Sequence, residues 1–394
     1  MTEALHAALP PSSAHIWGSD GGCRAWVLMT AMHPERHDGE PAKVGRACHA
    51  ISEQMIRADA NPVKRPIDAD SIIGTINNEG VFITEEMWEA SRMYADEIIS
   101  CMRSNAVFGG DGLGIEERVY MPAIHTKNWG TVDAYVYSQL KNTLYIFDAK
   151  FGYEIVNVFE NLQLIDYYEG VREKLGLVDC EGLRVVFTIV QPNAPHRDGP
   201  VRTWFVDAVE LRGYVNKLSY NAHEAMKMLP NCRTGKHCLH CSARHACDAA
   251  LNMALSAIEY ESQPVPFDLS PEAASLEYRL LLRARAAIEL RITGRAESLL
   301  AGAREGQKLN GLRVEMGKGR QRWDVSETEV IALGKACGID VQKEPKAITP
   351  KQAIKKGLPA EVVNCKSVTP TTGLKLVQDD GSLARHVFSK PPTT

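Results

Sequence analysis

Asp133 stands on the apolar run Trp129 to Tyr137, Asp148 and Lys150 follow the apolar run Tyr145-Ile146-Phe147, and their types and spacing suit hydrolysis of a phosphodiester. The β-branched and aromatic bias of both runs predicts buried strands. Residues 138–143, Ser-Gln-Leu-Lys-Asn-Thr, make a short polar turn between them, so a hairpin is expected to set Asp133 beside Asp148. Two neighbouring carboxylates cannot both stay ionised unless a cation neutralises them. Hard oxygen ligands favour magnesium or manganese. Lys150 lies two residues beyond Asp148 and therefore on the same strand face, where its ammonium can orient a water or stabilise charge growing on a phosphate. The expected chemistry is that of a metal-dependent nuclease.

Helices must position these groups. Gly45 to Glu53 is expected on a helix whose Val44, Ala47, Ile51 and Met55 face the core, leaving His49 and Glu53 together at i and i+4. From there His49 can reach a metal. Downstream, Leu164, Tyr168, Val171 and Leu175 mark a buried helical stripe, so Gln163 and Tyr167 share a neighbouring face that can point at the acids. Such groups suit phosphate contact and positioning.

His49, Glu116 within Ile115-Glu116-Glu117-Arg118-Val119, Asp133, Asp148-Ala149-Lys150 and Gln163 with Tyr167 together resemble the ordered motifs of the PD-(D/E)XK nuclease superfamily, in particular its RecB-like branch. The resemblance covers about residues 12–250 and extends to phage and prophage RecB-like proteins, which carry an Asp-x-Lys-x-Gly segment and an Asn-x-Gln-Leu helix, here Asp148 to Gly152 and Asn161 to Leu164. It implies an α/β (α+β) core of helix, three-stranded meander, helix and strand, with a mixed central sheet flanked by helices. It further implies a deoxyribonuclease, usually an exonuclease, that uses Mg2+ or Mn2+. The implied metal ligands are His49, Glu116, Asp133 and Asp148, and the implied catalytic set is Asp133, Asp148, Lys150, Gln163 and Tyr167. Strand alternation turns only one of Glu116 and Glu117 inward, and Glu116 is favoured. The implied partners are DNA, single-stranded or with free ends, and a single-strand annealing or recombination protein.

A second group is built from cysteines. Cys238, Cys241 and Cys247 follow the spacing C-x2-C-x5-C, and Cys232 and the distant Cys23 are candidates for a fourth ligand. Thiolates held this close need a soft cation, so zinc or an iron-sulfur cluster is expected. His237, His240 and His245 in the same stretch keep zinc open. Members of the RecB-like branch, CRISPR adaptation nucleases among them, bind a four-iron four-sulfur (4Fe-4S) cluster with one early cysteine and such a trio. That likeness implies Cys23, Cys238, Cys241 and Cys247 as ligands, with Cys232 as the rival to Cys23.

Composition bounds the rest. With 394 residues and 44% hydrophobic content the chain can fill one large or two modest cores. Its ten cysteines follow no paired secretory framework, and Met1-Thr2-Glu3-Ala4-Leu5-His6 lacks the features of a signal peptide, so a cytoplasmic protein is expected. No run reaches the ~20 apolar residues of a membrane span, and no membrane partner is expected. The net charge of −4 argues against a general DNA-coating protein. The charge is uneven: residues 301–394 hold 16 Lys and Arg against 10 Asp and Glu.

Residues 1–14 are expected to be flexible and 15–261 to form the nuclease domain with its cysteines. Within it, 84–104 predicts a helix capped by Thr84 with Met87, Tyr94 and Ile98 buried, and 183–191 and 201–206 predict strands. Gly109 to Gly114 lacks the Lys-Ser/Thr of a phosphate-binding loop. Residues 262–307 predict a linker and a long helix with Leu281, Ile288, Ile292 and Leu299 on one side. Residues 308–394 predict a small basic α+β appendage opening on a strand over 309–316, in which Lys318, Arg320 and Arg322 beside Trp323 offer phosphate contacts and a stacking surface for DNA. Two other classes stay open: a non-catalytic DNA-binding recombination partner, which need not keep Asp133, Asp148 and Lys150, and a metal-cluster interaction protein.

Overall fold

The computed structural model describes residues 7–34, 39–61, 67–177, 181–196, 198–261, 269–312 and 314. Helices α1 (Ala14–Trp17), α2 (Trp26–Met32), α3 (Glu40–Ala60), α4 (Ala69–Ile72) and α5 (Glu85–Ser104) precede strands β1 (Leu113–Tyr120), β2 (Trp129–Ser138) and β3 (Thr143–Ala149). Then come α6 (Leu162–Lys174), β4 (Arg184–Val190), β5 (Val201–Asp207), α7 (Ala208–Ala225), α8 (Asp248–Glu261) and α9 (Pro271–Arg304). The strands form one mixed sheet in the order β1-β2-β3-β4-β5. β1 to β3 are an antiparallel meander, β4 runs parallel to β3 after the α6 crossover, and β5 returns antiparallel. The expected sequence of helix, meander, helix and strand is present, and the fold is a mixed α/β one.

Both faces of the sheet are covered, which explains the nearly continuous apolar runs of β3 and β4. On one face Val132, Tyr135, Leu144, Ile146, Val185 and Phe187 pack with Leu164, Tyr168 and Val171 of α6 and Leu211 and Leu218 of α7. On the other, Ala134, Val136, Phe147 and Ala149 pack with Ala47 and Ile51 of α3 and Met87, Tyr94 and Ile98 of α5. The helices α3 and α5 meet at two serines: buried Ser52 donates from Oγ to the Ser91 carbonyl at 3.2 Å, and Ser91 donates to the Cys48 carbonyl at 3.1 Å. Side-chain caps start α5 and α6 where expected: Thr84 accepts from the Met87 amide, and Asn161 from those of Gln163 and Leu164.

Three expectations change. Residues 7–14, expected to be flexible, are packed: Leu9 and Pro11 are buried and Trp17 Nε1 donates to the Pro10 carbonyl at 3.0 Å. Leu9, Ala14 and Trp17 extend the core on the α6/α7 face, which holds the segment down. On α9 the side marked by Leu281, Ile288, Ile292 and Leu299 is exposed, and Ala287, Leu290 and Gly294 are buried instead. Close approach decides this, because a Cβ on Gly294 would lie 3.1 Å from the His245 amide nitrogen. The strand expected over 309–316 is absent from its described residues, 309–312 and 314; the remainder of the appendage, with Lys318, Arg320, Arg322 and Trp323, lies outside the described residues. Among the described residues no helix is long and apolar enough to cross a membrane.

Candidate metal centre and cysteine cavity

The centre begins with a break in strand alternation. Glu116 has a left-handed backbone, φ +47°, and lies opposite Asp133 between the pairs Ile115↔Ala134 and Glu117↔Val132. In a regular strand residues two apart share a face. Here Ala134 joins the α3/α5 core while Val132 joins the α6/α7 core. A left-handed non-glycine residue costs on the order of 1–3 kcal/mol and persists only where its surroundings enforce it. The result is that Glu116 meets His49 of α3, while Glu117 faces away, accepting from the Tyr135 hydroxyl at 3.0 Å and pairing with Lys174 at 2.7 Å.

His49 Nδ1 lies 3.0 Å from Glu116 Oε1 and 3.8 Å from Asp133 Oδ2. Among the described residues, His49, Glu116 and Asp133 form a group whose ligand atoms all lie within 4.8 Å of one another, a donor set suited to a divalent cation. Asp133 Oδ2 also accepts from the Ala149 amide at 2.8 Å, so the acid is tied to β3. Asp148 is not in that trio. It is buried, with Lys150 Nζ 2.8 Å from Oδ1 and 2.6 Å from Oδ2, and Gln163 Nε2 donating to Oδ1 at 2.8 Å. Lys150 Nζ also donates to Gln163 Oε1 at 3.2 Å, closing a triangle. The other residue paired with His49 in the sequence, Glu53, turns to Arg57 at 2.8 Å instead.

The electrostatics are those of crowded acids. Burial pulls the His49 imidazole down, but the Asp133 charge and the Glu116 hydrogen bond outweigh it and push it up to about 9. Burial raises Asp148 to about 6 against the pull of Lys150, and raises Asp133 against His49 and Lys150. Tyr167, expected on a face beside the buried stripe, is itself buried; burial and the two aspartates raise its hydroxyl well above the ordinary range. Its ring passes over Gly130, where a Cβ would lie 3.1 Å from Tyr167 Cε1 and 2.8 Å from Pro11.

Sequence reasoning missed the clamp on the loop after Lys150. Gln191, fully buried, donates to the carbonyls of Gly152 and Glu154 at 3.2 and 2.6 Å and accepts from the Val156 amide at 3.2 Å. Arg202 donates to Gln191 Oε1 at 2.7 Å and to the Val156 carbonyl at 2.9 Å, and Asn193 holds the Phe151 carbonyl at 2.9 Å. A signal was there to read: Arg202 occupies an inward position of β5, in phase with Trp204 and Val206.

The cysteine cavity lies apart, lined by Cys23, Cys232, Cys238, Cys241 and Cys247 with Trp26, His237 and Leu290. Cys23 and Cys232, the two candidates for a fourth ligand, both reach it: the Cys232 Sγ is 3.9 Å from that of Cys23 and 3.7 Å from that of Cys247. The Asn231 carbonyl accepts from the Ala25 amide at 3.1 Å, and this link between distant segments carries Cys232 into the cavity. Hydrogen bonding from Cys232 pulls Cys23 down to about 4 and Cys247 to about 6, against burial in both cases. His237 is pushed up to about 10 by its contacts with Cys23 and Cys238. Backbone amides of Arg233 and Gly235 point at the sulfurs of Cys23 and Cys238 at 3.5 and 3.3 Å, and α9 closes the loop through Arg291, which donates to the His245 carbonyl at 2.8 Å. The thiols suit a soft cation.

A family model described as a protein of unknown function, DUF2800, matches residues 6–376. The chain belongs to the DUF2800 family. No curated protein matches it. The DUF2800 match takes in the acid centre, the loop clamp and the cysteine cavity, so all three lie within the family's own span.

Proposed function

We propose that this DUF2800 chain is a metal-dependent DNA nuclease of the RecB-like PD-(D/E)XK kind, an exonuclease acting on single-stranded DNA or free ends in phage or prophage recombination or repair. The observation that carries the reading is the convergence of His49, Glu116 and Asp133 beside the Asp148-Lys150-Gln163 triangle. Mg2+ or Mn2+ held by the trio, with Asp148 as the fourth candidate, would supply a Lewis acid and an activated water. Asp148 and Gln163 hold the Lys150 ammonium in place, and Lys150 stabilises charge growing on the phosphate. Tyr167, fixed over Gly130, lines the same site. For the cavity, a 4Fe-4S cluster is the favoured occupant and zinc the alternative, both suited to its thiol donors.

The test is incubation of the purified chain with end-labelled single- and double-stranded DNA, with and without manganese. Cleavage is expected only with metal, and Asp148→Ala is expected to abolish it. Lys150→Ala is expected to keep metal affinity and lose about a hundredfold or more in turnover. Full activity in excess chelator would refute the reading; a structured, DNA-binding chain that never cuts would favour the non-catalytic partner.

A further inference from the structure

Tyr94 of α5 carries a buried hydroxyl that finds no hydrogen-bond partner among the described residues. Native cores rarely leave such a group unanswered, and phenylalanine would fill the same space without the oxygen. Its position gives the oxygen a use. The Ser52–Ser91 bond and the Asp59–Arg103 ion pair set α3 and α5 side by side in the same direction, so Tyr94, one turn past Ser91, stands level with the turn of α3 that follows Ser52. It packs in one cluster with Cys48, Ala134, Phe147 and Ala149, the chain neighbours of His49, Asp133 and Asp148. Burial first, and then the charges of Asp133, Asp148 and Glu116, raise its pKa well above the ordinary value. The hydroxyl therefore lies in the field of the acids without bonding to any of them. A water between them would answer the orphaned oxygen and the acids together.

We infer that Tyr94 is a positioning residue of the metal centre, its hydroxyl hydrogen-bonded to a water in the coordination shell of the divalent ion held by His49, Glu116 and Asp133. The inference rests on the metal-dependent reading of that site. Partners of this kind outside the ligand set commonly change metal affinity or activity by 10- to 100-fold.

The experiment titrates Mn2+ into the full chain, its acid centre stripped by a chelator that leaves the cysteine cavity untouched, and follows the free-ion electron paramagnetic resonance signal. Asp133→Ala defines the share of binding that belongs to the acid centre, and the proteins without acid-centre metal are melted in parallel. Tyr94→Phe is expected to weaken acid-centre Mn2+ binding about tenfold, with a melting temperature in the absence of acid-centre metal equal to or above that of the wild type. Unchanged Mn2+ affinity in Tyr94→Phe would overturn the inference while leaving the metal centre standing. Tyr94→Phe melting well below the wild type without acid-centre metal would overturn it too, by showing that the hydroxyl bonds within the chain. Absence of acid-centre binding in the wild type would sink the metal reading itself, and this inference with it.

Discussion

The acid centre and the cysteine cavity are both proposed cation sites, and they are held in opposite ways. Asp133 and Asp148 sit on the inner strands β2 and β3, Glu116 on the edge strand β1 and His49 on the long helix α3, so their geometry is set by backbone pairing and core packing. Of the cysteines, Cys238 sits on the short 3-10 turn Lys236–His240, Cys241 between it and the turn Ser242–His245, Cys247 beyond both, and Cys232 and distant Cys23 before them; among the described residues Cys238, Ala250 and Leu290 form a small buried cluster there. A cluster that small contributes little burial. On the proposed reading the fold by itself shapes the acid centre, whereas the cysteine cavity depends on a bound cation to hold its segments together.

The largest expected effect tests that contrast directly. Chelators that strip only the acid centre should leave the melting temperature within a few degrees, because the sheet does not depend on the ion. Cys238→Ser or Cys241→Ser should remove the bound metal and destabilise the whole domain, since a cation joining Cys23 to the trio closes a very long loop. The position of Cys232 between Cys23 and Cys247 adds a sharper arm: Cys232→Ser should lower metal content as fully as Cys23→Ser does. Metal content by elemental analysis and melting by circular dichroism check both, and a stable, fully folded Cys238→Ser would erase the contrast.

A smaller effect is expected at the clamp, which carries the rigidity of the sheet to the loop beyond Lys150. Gln191→Ala strips hydrogen bonds from Gly152, Glu154, Val156 and Arg202, and each buried group left unpaired costs about 1–3 kcal/mol. Limited proteolysis should then cut within 151–157 faster than in the wild type, with turnover falling more than DNA binding. Unchanged cleavage in that segment would show that the loop is held by other means.

The smallest effect uses an acid that belongs to neither site. Asp166 is buried against Asn128, whose Nδ2 donates to it at 2.7 Å, and burial raises its pKa well above the ordinary value. The folded state therefore holds the proton more tightly than the unfolded chain. The stability this gives is full below the unfolded pKa of about 3.9 and is lost as pH rises toward the raised folded value. Asp166→Asn keeps the acceptor for Asn128 and has no proton to lose, so it should match the wild type near pH 4 and melt higher at pH 8. Parallel melting curves at the two pH values would remove Asp166 as a model of a buried acid without a cation.

Much of this was legible because it is local. Short apolar runs marked β2, β3, β4 and β5 to within a residue or two, since a strand covered on both faces reads as a nearly continuous apolar stretch, while β5 alternates buried and exposed positions. Thr84 and Asn161 announced their helices through unsatisfied first-turn amides. His49, Asp133, Asp148 and Lys150 were readable because acids and a lysine inside apolar runs need a reason to be there.

Tertiary structure decided what depends on distant segments meeting. Glu116 rather than Glu117 faces His49 because a left-handed residue breaks the alternation, and nothing in Ile115-Glu116-Glu117-Arg118-Val119 announces that turn of the backbone. Asp148 pairs with Lys150 and Gln163 rather than joining the trio, an outcome set by how α6 docks on β3. Cys232 enters the cavity through a backbone bond between Ala25 and Asn231, and the apolar side of α9 yields to Gly294, where only a missing Cβ lets the helix approach His245. Residue type and spacing fix which groups can do chemistry; which of them meet is settled by long-range packing, whose energy is spread over many contacts and leaves no period in the chain.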